Sequence, residues 1–68
     1  MSHEVIYNIF KRMMPVYGDK VIMWVPNGYS SIRIRLSTKE EYIFTYRSDR
    51  SWRFETVDNY ISSMKGKN

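Results

Sequence analysis

The sequence contains no cysteine and a single histidine, His3. Without cysteine no disulfide can staple the fold, and a thiolate zinc site is impossible. One histidine cannot build a multi-histidine metal site. The lack of cysteine also fits a reducing cytoplasm. Apolar runs are short. Nothing approaches the roughly 18 residues of a membrane span, and residues 5–10 are too few and too broken for the apolar core of a secretory signal. A Gly-rich phosphate loop, G-x-S-x-G and H-E-x-x-H are all missing. His3 lies at the start of the chain, and Asp19, Glu40, Glu41, Asp49, Glu55 and Asp58 are scattered over loops and element ends. Catalysis needs a nucleophile, a base and an orienting group converging in a pocket. A chain of 68 residues has little room for one. The expectation is a non-enzymatic protein with no cofactor and no metal.

Large side chains make up for the missing staples. Hydrophobic residues are 43% of the chain and aromatics 16%. A domain this small buries only about 60% of the surface its unfolded chain exposes, but each buried ring removes roughly 150–250 Å² from water. Such a composition excludes disorder and implies one small domain over residues 1–68, with 66–68 fraying. Eleven Lys+Arg against seven Asp+Glu give a net charge of +4, which suits an anionic partner if the charge is gathered on one surface.

The pattern predicts the order α-β-β-β-β-α. A helix over 3–14 is capped by Ser2, carries Glu4 in its first turn, and shows Ile6, Ile9, Phe10 and Met13 at helical spacing. Pro15 drives Met14 out of the helical region and ends it. Strands are predicted over 20–25, 30–36, 41–47 and 51–55. Pro26-Asn27-Gly28-Tyr29 reads as a four-residue loop with Gly28 at positive φ, because Pro26 cannot supply the N–H a two-residue hairpin needs. Thr56 caps a second helix over 57–65 with Val57, Tyr60, Ile61 and Met64 on one stripe, and Gly66 closes it. Short connections make the strands an antiparallel meander, and both helices are expected on its apolar face, giving a two-layer α+β domain.

The register follows from the faces, since a one-residue slip turns a strand over. Pairing Val25 with Ser30, Leu36 with Tyr42 and Tyr46 with Trp52 collects Val21, Met23, Val25, Ile32, Ile34, Leu36, Tyr42, Phe44, Tyr46, Trp52 and Phe54 on the inner face. Met13, Met14, Met23 and Met64 then fill gaps in that core, while Met14, Tyr17 and Tyr29 would form a small protein-binding patch if exposed together. The outer face receives Lys20, Ile22, Trp24, Arg33, Arg35, Arg47 and Arg53 with Glu55 as its one acid.

Lys20, Arg33, Arg35, Arg47 and Arg53 are therefore the candidate phosphate contacts and Trp24 the candidate stacking residue of a nucleic-acid-binding face. The alternative is a protein-interaction module, an adaptor or inhibitor that meets an acidic protein through the same face or pairs through a sheet edge, as a monomer or a homodimer. In scale the chain is similar to the small accessory proteins of bacteria and their phages. A membrane partner is not expected.

Overall fold

The computed structural model describes residues 1–65 of the chain; the expected closure at Gly66 and the fraying of 66–68 lie outside them. The protein is an α+β domain in the expected order, with one added element. Helix α1 spans His3–Met13, a single helical turn α2 spans Pro15–Gly18, strands β1 to β4 span Val21–Pro26, Ser31–Leu36, Glu41–Tyr46 and Trp52–Thr56, and α3 spans Val57–Lys65. The strands form one open antiparallel sheet in chain order, with β1 and β4 at its edges.

Each boundary has a local cause. Ser2 Oγ accepts from the Val5 N–H (3.2 Å), and Glu4 sits at the positive end of the helix dipole. Met14, ahead of Pro15, adopts φ −132° and ψ 70°, which stops α1. Pro15 is then in a position that favours helix initiation, and α2 forms where only a turn is expected from the sequence. A Cβ on Gly18 would lie 3.2 Å from Lys11 Cγ and 3.3 Å from Lys11 Cα, so the glycine lets α2 fold back against α1. Gly28 takes φ +117° in the β1–β2 loop, as its position in the sequence requires. His3 Nε2 donates to the Gly28 carbonyl (2.6 Å) and ties that loop to the start of α1. Thr56 Oγ1 accepts from the Asn59 N–H (3.1 Å) and begins α3.

The β2–β3 and β3–β4 hairpins share one turn design. Lys39 N–H bonds the Leu36 carbonyl and Arg50 N–H bonds the Arg47 carbonyl, both at 2.9 Å, and both residues are left-handed, at φ 75° and 71°. Asp49 accepts from the Ser51 N–H (2.9 Å), and its bonds to Ser51 hold its pKa below the ordinary carboxylate value.

The core lies between α1 and the inner face of the sheet. Ile6, Phe10, Ile32, Ile34, Leu36 and Phe44 are fully buried together. Phe10 is the plug, with its ring 5.3 Å from Phe44 and 5.6 Å from Phe54, centroid to centroid. Tyr17 of α2 covers Tyr42 (5.8 Å) and Phe54 (5.2 Å). Tyr7 and Met14 also pack on this cluster, whereas Val5 and Met13 are exposed, so the α1 stripe is rotated from the one the spacing predicts. Met14 packs on the core and Tyr17, although partly exposed, lays its ring on Tyr42 and Phe54, so the two do not join the exposed Tyr29 in a surface patch.

The first hairpin differs from the expected register. Val21 pairs with Leu36, but Met23 pairs with Arg35, Trp24 with Ile34 and Val25 with Arg33, because a bulge falls between Val21 and Met23. One extra residue turns the rest of the strand over. Trp24 therefore points inward and stacks on Tyr7 (4.9 Å, 19° between planes), while Met23 and Val25 point outward. The gain is an indole taken from water onto the core. The second hairpin pairs Arg35 with Glu41 and Arg33 with Ile43, a two-residue slide from the expected alignment that leaves the faces unchanged. Tyr46 pairs with Trp52 as expected.

The helices do not share the inner face. Ile43 points outward beside Arg33 and Glu55, yet is only 1% exposed. Val57 and Asp58 of α3 line a recess together with Arg33 and Glu41 of the outer face. Among the described residues no side chain of α3 packs on the inner cluster. Helix α3, which contacts β3 and β4, thus leans on the outer side.

Phe10→Ala would empty the center of the core and should cost about 3–5 kcal/mol, measured by urea unfolding. Lys39→Gly and Arg50→Gly should each stabilise the chain by about 0.5–1 kcal/mol, because glycine removes left-handed strain at a smaller entropic cost. An unchanged or lower unfolding midpoint in both would contradict this account of the turns.

Candidate functional site

The six residues expected on a basic face do not form one surface. Trp24 is inside, stacked on Tyr7. Lys20 precedes β1, and its carbonyl accepts from the Ser37 N–H (2.8 Å) at the end of β2. Arg47 opens the β3–β4 turn by bonding the Ser51 carbonyl (2.9 Å), at the opposite end of the sheet. Arg53 lies on β4 and bonds Glu55 (Nη2 to Oε1, 3.2 Å).

Arg33 and Arg35 stay together on the outer face, and both hold Glu41. Arg33 reaches Oε1 through Nη2 (2.6 Å) and Nε (2.8 Å). Arg35 reaches Oε2 through Nη2 (3.0 Å) and Nε (3.2 Å). Hydrogen bonds from Arg33 and then Arg35 hold the Glu41 carboxyl below the ordinary carboxylate range, against a smaller opposing effect of burial. One carboxylate thus anchors two guanidiniums and leaves the trio with a single net positive charge. Glu41 is the residue of this cluster that the sequence pattern does not reveal. Only the two-residue slide of β3 brings it opposite Arg35, and the alternation of faces is blind to such a slide.

Beside this clamp runs an apolar row. The bulge leaves Ile22 63% exposed, Met23 47% and Val25 40% on the β1 edge. Met23 faces Arg35 across the strands and Val25 faces Arg33. Exposed apolar side chains gathered in one place mark contact surfaces more often than scattered ones do. The clamp and the row together form a strip with an apolar border and a fixed basic border.

A recess of about 380 Å³ lies next to the clamp, lined by Arg33, Lys39, Glu40, Glu41, Tyr42, Thr56, Val57 and Asp58. Two of its three acids are engaged, Glu41 by the arginines and Glu40 by Thr38 Oγ1 (3.0 Å). Burial, then the nearby Glu40 charge, raises the Tyr42 phenol above its ordinary value. Among the described residues no three His, Asp or Glu side chains gather as metal ligands. Among the described residues no helix is long and apolar enough to cross a membrane.

Comparison with known protein families, with characterised proteins and with solved structures finds no significant match for the chain.

The clamp titrates with a definite sign. Glu41 has a depressed pKa in the folded protein, so its contribution to stability is present above the ordinary carboxylate value and is lost as pH falls through the lower, folded value. Glu41→Gln should therefore melt below the parent protein at pH 7, with the gap closing as the pH falls below the ordinary carboxylate value in thermal denaturation. A gap unchanged over that range would mean that Glu41 acts through something other than its charge.

Proposed function

We propose that the protein is a small, non-enzymatic, cytoplasmic interaction module that docks a protein through the strip formed by Ile22, Met23, Val25, Arg33 and Arg35. The observation that carries this reading is the juxtaposition of three exposed apolar side chains with two guanidiniums fixed by Glu41. The complementary surface is a protein segment with an apolar side chain flanked by carboxylates. The apolar part would meet Met23 and Val25, and the carboxylates would compete for, or add to, the Glu41 contacts. Arginine suits such a border because its fork can serve two acceptors at once.

A polyanion such as nucleic acid is the other candidate ligand for this chain. It would draw on Arg47 and Lys20 as well as the clamp, but these two stand at opposite ends of the sheet. Trp24, which would have stacked on a base, is turned into the core. Both points favour the protein partner.

The test uses the immobilised chain and a displayed library of random peptides, with single-stranded oligonucleotide titrated in parallel at two salt concentrations. The expected result is enrichment of peptides that combine Asp or Glu with a large apolar residue. Their binding should weaken at least about tenfold in Val25→Asp and in Arg33→Glu. Peptides without carboxylates, or with equal affinity for both variants, would refute the proposal. Oligonucleotide binding that falls steeply with salt and is lost in Arg33→Glu would transfer the strip to nucleic acid.

A further inference from the structure

The two edges of the sheet are not alike. The Asn27 N–H bonds the Ser31 carbonyl, so alternation turns the backbone groups of Val25 and Met23 toward β2 and those of Trp24 and Pro26 toward open space. Pro26 has no N–H to offer there, and the bulge after Val21 breaks the row. Proline and bulges are the usual means of preventing an edge from pairing. At the other edge the Arg47 N–H bonds the Ser51 carbonyl. Arg53 and Glu55 therefore face β3, while Trp52 and Phe54 turn N–H and C=O outward, and Thr56 its N–H. Strand β4 contains neither proline nor a bulge. Helix α3 contacts β3 as well as β4.

We infer that β4 pairs antiparallel with β4 of a second copy, about a two-fold axis at Phe54. The outward groups of Phe54 then bond those of Phe54 in the second copy, and the Thr56 N–H meets the Trp52 carbonyl across the interface. This register places Arg53 opposite Glu55 of the other copy, twice by symmetry, at the closely spaced position where side chains interact most. Sliding by two residues one way sets Arg53 against Arg53, and the other way sets Glu55 against Glu55. The charges therefore select a single alignment. On the inner side, half-exposed Trp52 comes beside Thr56 of the second copy, and Phe54 beside its own equivalent. The product is a continuous eight-stranded sheet, four strands from each copy, within the ordinary size range. It leaves the β1 strip at both far ends, so it stands or falls separately from the proposed docking function.

Sedimentation equilibrium of the full chain from about 1 µM to 1 mM tests the pairing. The mass should rise from monomer to dimer and no further. Arg53→Glu and Glu55→Arg should each weaken self-association at least about tenfold while leaving the circular dichroism of the fold unchanged. One variant then carries an all-acidic strand and the other an all-basic strand, so mixing the two should restore a dimer. The double variant R53E/E55R should also regain parental association. A parent that stays monomeric at the highest concentration would overturn the inference. So would a dimer indifferent to both reversals, or single variants that remain monomeric when mixed.

Discussion

The bulge between Val21 and Met23 is the constraint on which the arrangement of this protein depends. One surplus residue on β1 sends Trp24 to the core side, where its ring lies flat on Tyr7 and widens the surface that α1 can cover. The same inversion brings Met23 and Val25 out beside Arg35 and Arg33. The packed core and the exposed apolar row are thus two results of one local irregularity. A regular β1 would have placed the indole among the arginines and the smaller apolar residues inside. Burying the largest apolar surface favours the arrangement observed.

Charge on the outer face is organised by neutralisation in place. Glu41 sits between two guanidiniums, and Glu55 holds Arg53. Exposed ion pairs add little to stability. Their effect here is to fix where long, flexible side chains stand, and in the proposed docking this would lower the conformational entropy lost. On the β3 part of the face Ile43 is buried, whereas Ile22, Met23 and Val25 on β1 are open to solvent.

Much of this was legible in the amino-acid order. Ser2 and Thr56 marked the helix starts, Pro15 the end of α1, and Gly28 a positive-φ turn, because each acts through its own backbone chemistry. The alternation of Ile32, Arg33, Ile34, Arg35 and Leu36 set the faces of β2 without ambiguity. The β1 segment carries no such contrast. Val, Ile, Met, Trp and Val are all apolar, so the period-2 argument has nothing to align, and a bulge adds a residue without a compositional mark. Glu41 was missed for a different reason. Faces repeat every two residues, so a slide of two changes every partner and no face. The place of α3 was equally hidden, since Val57, Tyr60 and Ile61 suit either side of the sheet.

Because the strands lie side by side in the order they occur in the chain, almost every sheet contact joins near neighbours in sequence. Short-range pairing of this kind forms quickly. The helix-to-sheet contacts are longer in range, and Phe10 makes the central ones. It is made before any strand, yet the rings that enclose it, Phe44 and Phe54, belong to β3 and β4. On a ribosome adding about 5–20 residues per second, α1 must wait on the order of seconds with its most apolar side chain uncovered. That interval, rather than the finished fold, is when this chain is most open to chaperones and to aggregation.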